Sequence, residues 1–329
     1  MAADRDLAVA VVRAWAAGRT DLRGWELHGA TGVRGLRLVH ETGAFREFLL
    51  TDSHPAAVGA LSANARPWPA VRVRAADARD RPPEAPFDYV DVDPYGSPLP
   101  FLETALGAVV DHGRLAVTAT DLMVLAGAQA EACRRRYGAR PVRGRLGPEG
   151  GLRILLATAA RTAGALGRSI RPVLAYSRAH TVRAYLEVGA ASEFPDRTEE
   201  LDAATWRGPP LGDGGPFGPL WTGPLFDPAL VDRLEVPAGA ARPREVAYLL
   251  DRFRAEARVD VPFYYEPNGI ARRLGLAAPT PLAAYAEELG VAGFRCARTH
   301  ARPEGFRTDA PRERVEQIAR QSQNARVRA

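Results

Sequence analysis

Four consecutive residues, Asp93-Pro94-Tyr95-Gly96, follow a short apolar run and have the types needed for chemistry on an aromatic amine. The lone pair of such an amine is delocalised into its ring, so it attacks an electrophile poorly. A rigid acceptor against one N–H turns the lone pair outward and takes the proton as the new bond forms. Asp93, together with the carbonyl of Pro94, is the candidate acceptor. Tyr95 offers a flat face for an extruded base, a contact worth about 1–3 kcal/mol. In isolation the tetrapeptide is an ordinary turn. Acid, proline and aromatic in that order nevertheless separate transfer to an amine from transfer to oxygen or carbon, where such a motif is not needed.

A second constellation would hold a nucleoside cofactor. Glu26-Leu-His-Gly-Ala-Thr-Gly32-Val-Arg34-Gly35 runs from a strand end into a helix, where glycines let backbone approach a ligand and the helix start offers unpaired N–H groups. Asp52, twenty residues after Gly32, stands where an acid accepts both hydroxyls of an adenosine ribose. Asp77, with the backbone of Ala78, could meet the adenine amine. Each aspartate alone reads as a cap or turn residue. A glycine turn and two acids at successive strand ends of one sheet edge point instead to a bound adenosine, expected to be that of S-adenosylmethionine. NAD would want Gly-x-Gly-x-x-Gly, a spacing that Gly29-Ala-Thr-Gly32-Val-Arg-Gly35 lacks.

These side chains need a scaffold that brings strand ends to one edge. From residue 24 to about 190, short apolar runs ending in acids or small polar residues alternate with amphipathic stretches, the pattern of a parallel sheet with crossover helices. Strands are expected at Trp25–Gly29, Glu47–Thr51, Val71–Ala75, Tyr89–Val92, Arg114–Thr118, Arg171–Ala175 and Val182–Val188. Helices fall at Arg34–His40, Pro55–Ala65, Pro100–Val110 and Gly151–Leu166. Ser53 and Pro55 read as N-cap and first-turn proline, and Gly113 as the close of the helix from Pro100. The last two strands have no helix between them, so the final one can enter antiparallel.

The fold class is therefore α/β and Rossmann-like over 1–191, with a Pro/Gly-rich linker or irregular loop at 192–223 and a smaller α+β C-terminal domain at 224–329. In the latter, helical patterns at Asp227–Leu234, Pro243–Ala257, Asn268–Leu274 and Thr280–Leu289 precede two strands near Gly293–Arg298 and Gly305–Thr308, an order compatible with a winged-helix-like module.

At 329 residues, two domains are the natural expectation. No run approaches the roughly eighteen apolar residues of a bilayer crossing, and the N-terminus lacks a basic region or cleavage site for export. Cys133 and Cys296 are the only cysteines and lie far apart, so neither a disulfide framework nor a zinc ribbon is indicated, and the cytoplasm fits best. All 44 basic residues are arginine, a bias expected of a GC-rich coding sequence. Nine arginines against four acids follow from Arg295, an excess equal to the net charge of +5. A second concentration, Arg134 to Arg145, has six arginines and no acid. Localised charge of this kind attracts a polyanion without naming it.

Taken together, Asp93-Pro-Tyr-Gly-Ser-Pro-Leu-Pro-Phe-Leu-Glu, Val117-Thr-Ala-Thr-Asp121, Gly151-Leu-Arg-Ile-Leu-Leu and Ser177-Arg-Ala-His180 with Val182-Arg183 resemble the tRNA guanine-N2 dimethyltransferase family of archaea and eukaryotes. Gly218-Pro-Leu-Trp221-Thr-Gly, Pro262-Phe-Tyr-Tyr265, Arg298-Thr-His300 and Phe306-Arg-Thr-Asp-Ala-Pro311 are similar to its C-terminal domain, so the resemblance runs nearly end to end. It implies a class I methyltransferase sheet, S-adenosylmethionine as cofactor, and one or two methyl transfers to guanosine 26 of tRNA. By position it implies Arg5, Arg34, Asp52, Asp77 and Ala78 around the cofactor, Asp93 as catalytic acceptor, and Tyr95 where the family usually has Phe, beside Gly32 of the glycine turn and the Pro94 carbonyl read from the residues themselves.

Three departures stand out. An aromatic-containing segment normally precedes the family's Arg-Asp pair, whereas Arg5-Asp6 lies almost at the start here, so either a wall of the base pocket is missing or the true start lies upstream. A four-cysteine zinc site found in many members has no counterpart, and no metal is expected. Glu26 and His28 replace the more typical acid and small residue of the glycine turn. Two readings remain open beside tRNA guanosine: another amine of an RNA or DNA base, or a tRNA-binding protein with weakened catalysis. His180 and His300 are expected to be structural or phosphate-contacting, because transfer from a sulfonium needs no histidine, and Cys133 to be a packing residue.

Overall fold

The computed structural model describes residues 2–82, 84–212 and 214–328, the last four as helix backbone alone. In chain order the elements are α1 (Ala2–Ala16), β1 (Leu22–Glu26), α2 (Val33–Thr42), β2 (Phe45–Asp52), α3 (Pro55–Ala65), β3 (Val71–Ala75), β4 (Phe87–Val92), α4 (Leu99–Ala108), β5 (Val109–Ala119), α5 (Leu122–Leu125), α6 (Ala130–Tyr137), α7 (Gly147–Ala165), β6 (Arg168–Arg178) and β7 (Thr181–Ala190). Then come β8 (Thr198–Leu201), β9 (Phe217–Trp221), α8 (Pro228–Val231), α9 (Pro243–Glu256), α10 (Pro267–Leu274), α11 (Leu282–Val291), β10 (Cys296–Arg298), β11 (Phe306–Thr308) and α12 (Arg312–Arg328).

Seven strands form one sheet in the order β3-β2-β1-β4-β5-β7-β6. The first five pair in parallel, and β7 runs antiparallel to both neighbours, as the missing helix before it allows. Strand order reverses between β1 and β4, and in an open sheet this opens a crevice at the carboxyl ends of the strands. Glu26, Asp52, Ala75, Val92 and Ala119 are those ends, so the residues just beyond them share one edge.

Several local expectations are corrected. The N-terminal stretch is the helix α1, missed because Leu7 to Val12 are buried on every side, leaving no polar face to give a helical period. Its buried Asp6 accepts from Arg37 at 2.7 Å and from the N–H of Arg242 at 3.0 Å, tying α1 to both halves of the chain. Gly113 does not close a helix. It lies within β5, where pairing with β4 is irregular between Phe87 and Tyr89, and a Cβ there would meet Val109 at 2.7 Å and the Asp88 carbonyl at 2.9 Å. His54, not Ser53, precedes α3, and Asp52 accepts its N–H at 2.9 Å.

Part of the stretch read as an irregular linker is the antiparallel ribbon β8–β9, whose Trp221 carbonyl takes a hydrogen bond from buried Arg153 at 2.8 Å. One apolar core extends from Ala3 to Tyr264, and a smaller one gathers Tyr265, Tyr285, Phe306 and Val315. Helices α10 and α11 with the β10–β11 hairpin give the element order expected for the C-terminal part. Among the described residues no helix is long and apolar enough to cross a membrane.

Candidate active site

The crevice holds two adjoining cavities, both bounded by His28 and Asp52. One, about 300 Å³, is lined by Asp52, Asp77, Ala78 and Phe101. The other, about 500 Å³, has Arg5, Glu26, Arg34, Asp93, Pro94 and Tyr95 in its walls. Eight of the nine candidates singled out from the sequence thus border one or other of these two adjoining cavities.

Gly32 is the ninth, and it shapes the turn rather than lining the space. Its φ of +78 at the start of α2 is left-handed, and a Cβ would meet Leu61 at 3.0 Å. Gly29 likewise lies against Leu61, and Gly35 against Leu50 and the Glu26 carboxylate. The glycines therefore bring α2 and α3 close to the sheet, which is how the turn comes to border the crevice.

Asp93 forms an ion pair through Oδ2 with Arg34 at 2.5 Å. Among the described residues nothing bonds its Oδ1 or donates to the Pro94 carbonyl, so two acceptors lie next to each other with capacity to spare. Beyond them Tyr95 is fully exposed. Gly96 completes the turn at φ +84, and its N–H donates to Thr120 Oγ1 at 2.7 Å while its carbonyl accepts from the Thr120 N–H at 2.9 Å. The turn is thereby clamped to the end of β5.

A buried charge network fixes Arg34. Its Nη1 lies 3.3 Å from Asp91 and 3.9 Å from Glu26. Arg183 on β7 reaches across β5 to bond both Asp91 oxygens, at 3.2 and 2.6 Å, and Thr118 and Tyr185 hold it in place. Burial opposes the charge of Asp91, but Arg183 and Arg34 outweigh it and hold the carboxyl below its usual range. Burial and Arg183 oppose the charge of Arg34, and Asp91, Asp93 and Glu26 more than offset them. Glu26, with less help, is pushed by burial up to about 8. Neither Asp91 nor Arg183 was given a role from the sequence. The available signal was alternation: Tyr89, Asp91 and Asp93 point to one face of a strand that must be buried.

The residues lining the two cavities carry unspent bonding capacity. Among the described residues neither buried ring nitrogen of His28 has a partner, and nor does Arg34 Nε. Burial holds the His28 imidazole below its usual pKa against the pull of Asp93 and Asp52, so at neutral pH it can either donate or accept. Among the described residues Arg5 forms no ion pair. Asp52 accepts the N–H groups of Ala30 and His54 at 3.0 and 2.9 Å, the cap role open to any such acid, yet a carboxylate has further lone pairs. Asp77 sits on the rim, paired with Arg79, whose side-chain and backbone bonds bring its carboxyl down to about 2.

His300 is elsewhere: its Nδ1 lies 2.6 Å from Glu256 and its Nε2 accepts from the Ser177 N–H. Cys133 is buried, and burial pushes its thiol up to about 12.

The strand order, with a polar crevice at the switch point and an Asp-Pro-Tyr turn on its wall, defines a Rossmann-like methyltransferase. The chain belongs to the N2,N2-dimethylguanosine tRNA methyltransferase family, whose model matches residues 1–202 and 213–320. It is 34% identical to the tRNA (guanine(26)-N(2))-dimethyltransferase of Thermococcus kodakarensis, over 94% of this chain and 89% of that one. To the protein of the same name from Methanosarcina acetivorans it is 31% identical, over 91% and 82%. Among solved structures it is similar to Trm1 from Pyrococcus horikoshii in complex with S-adenosyl-L-methionine, with a TM-score of 0.82 and 28% identity over 97% of this chain and 92% of that one.

Proposed function

We propose that this protein is a cytoplasmic enzyme that dimethylates the N2 amine of guanosine in tRNA, at position 26, with S-adenosylmethionine as donor. The observation that carries the reading is the pair of spare acceptors, Asp93 Oδ1 and the Pro94 carbonyl, on the wall of a cavity whose other walls fit that cofactor. When bound, the cofactor supplies an electrophilic methyl on a sulfonium centre.

The chain's own residues do the rest. Asp52 has lone pairs left for ribose hydroxyls, and Asp77 with the backbone of Ala78 meets the adenine edge. Arg5, a cation without a counter-ion among the described residues, suits the carboxylate of the methionine moiety. His28 offers a neutral polar ring where the two cavities meet. Arg34 holds Asp93 by one oxygen, leaving the other to accept an amine N–H and then the proton. Tyr95 presents its ring to the purine. Monomethylguanosine keeps one N–H, and turning it toward Asp93 permits the second transfer. Residues 224–329, including the basic C-terminal helix, serve as the tRNA-binding domain.

Incubating the protein with the methyl donor and an unmodified tRNA transcript bearing guanosine 26, then digesting to nucleosides for mass spectrometry, tests this. N2,N2-dimethylguanosine from that position is expected. Its absence from an enzyme that binds the cofactor would rule the reading out.

A further inference from the structure

Of the two arginine concentrations in the sequence, the C-terminal one has five of its nine arginines engaged by groups of the same molecule. Arg307 is buried between Glu149 and Glu256, Arg295 pairs with Asp309 at 2.8 Å, and Arg312 donates to the carbonyls of Trp206 and Gly208. Arg302 and Arg314 lie 3.7 and 3.8 Å from Glu266 and Glu288. The run from Arg134 to Arg145 is spent differently.

Between α6 and the β8–β9 ribbon lies a cavity of about 340 Å³, separate from the cofactor crevice, with Arg134, Arg140 and Arg143 in its walls and Leu211 and Phe217 as apolar lining. No carboxylate lines it among the described residues. Arg140 is built into place. Its guanidinium lies over the Phe217 ring at 5.2 Å, its Nη1 donates to the Gly215 carbonyl at 3.0 Å, and its backbone pairs with Gly218. Arg143 is exposed and has no ion pair or side-chain hydrogen bond among the described residues, and Arg134 shares only Glu131, one turn away. Three guanidinium groups around one concavity repel each other unless an anion sits between them, and guanidinium matches phosphate in charge and hydrogen-bond geometry.

The cavity is also indexed to the substrate turn. Tyr137, the last residue of α6, lies 2.8 Å from Ser97 Oγ through its hydroxyl and donates to Asp121 at 2.9 Å. Ser97 is two residues beyond Tyr95, and Asp121 follows the Thr120 that clamps Gly96. Hydrogen bonds therefore tie helix α6 to the segments on either side of the Asp-Pro-Tyr-Gly turn.

We propose that Arg134, Arg140 and Arg143 form a phosphate clamp for the RNA backbone beside the target nucleotide, setting which base reaches Asp93. This rests on the tRNA reading above. The apolar lining excludes water from one side of the anion, and the fixed guanidinium of Arg140 gives it a defined position. A guanosine is then selected partly by the distance between its own ring and a neighbouring phosphate.

The test is the double variant Arg134→Gln/Arg143→Gln, which spares Arg140 because it also holds the ribbon. Arg66→Gln, an exposed arginine at the end of α3 that does not line this cavity, is the matched control. Binding of full-length tRNA transcript is measured against salt, alongside methyl-transfer kinetics and cofactor affinity. The double variant should show a logarithmic salt slope shallower by about one to two, since each phosphate contact contributes about 0.9. Its KM for tRNA should rise about tenfold or more, with cofactor affinity and melting temperature unchanged. Slopes and KM equal to those of the wild type and control would overturn the clamp. If the wild type binds tRNA and the variant loses slope, but no dimethylguanosine forms, the clamp stands and the activity reading falls.

Discussion

At the scale of single residues, what matters is which polar atoms are left unspent. Asp93 keeps one oxygen and Pro94 its carbonyl, whereas Asp91, two residues earlier on the same strand face, has both oxygens bonded by Arg183. Burial explains the difference: Asp91 is fully enclosed and must be neutralised, while Asp93 is at the cavity wall. Tyr95 is the complementary case, a large ring left fully exposed in the free protein. Tyr95→Ala should leave the melting temperature unchanged and raise KM for tRNA about tenfold, the lower part of a stacking energy of about 1–3 kcal/mol, with Tyr95→Phe restoring it. Steady-state kinetics with both variants would decide it, and a fall in stability without a KM effect would make Tyr95 structural.

At the scale of elements, strand ends and turns do the positioning, and they were read from the sequence with uneven success. The five parallel strands and the helices between them were legible because short apolar runs ending in acids or small polar residues alternate with longer helical stretches. Asp52, Asp77 and Asp93 could be placed on one edge for the same reason. Helix α1 was not legible, since a segment buried all round has no period, and neither was the bulged start of β5. The partnership of Arg34 and Arg183 with Asp91 was hidden too, because it joins α2 and β7 to β4 across the sheet and no local spacing encodes it. The end of β1 carries the strongest electrostatic consequence. Burial lifts Glu26 from an ordinary 4.5 to about 8, so between those values the folded chain keeps a proton that the unfolded chain has lost. Stability from this site is complete below 4.5 and is lost as pH rises through about 8. Glu26→Gln, which can still accept the Gly35 N–H that Glu26 takes at 3.0 Å, should lessen that decline. Denaturant unfolding of both proteins at intervals across the window would show it, and an identical pH slope would contradict it.

At the scale of the whole molecule, a buried ion network joins the catalytic sheet to the C-terminal part. Glu149 on α7 accepts from Arg153 at 2.8 Å and from Arg307 on β11 at 2.9 and 2.8 Å. Arg307 also reaches Glu256 on α9 at 2.5 Å, and His300 meets that same carboxylate. Burial opposes the charge of Glu256, but His300 and Arg307 outweigh it and bring the carboxyl down to about 2. Its stabilising contribution is therefore present above 4.5 and lost as pH falls toward 2, opposite in sign to that of Glu26. Arg307→Met takes from two buried carboxylates the cation they share, leaving Glu149 with Arg153 and Glu256 with His300, and should cost about 3–5 kcal/mol in denaturant unfolding. A loss below about 1 kcal/mol would mean water reaches the junction. This junction ties the C-terminal part to the sheet that carries the crevice. Single-turnover methyl transfer to tRNA by Asp93→Asn, with cofactor affinity measured by calorimetry on the same preparation, tests the chemistry of that crevice most directly. A fall of about 10²-fold or more in rate with cofactor affinity preserved is expected of a lost proton acceptor. Full turnover by that variant would contradict the role of Asp93.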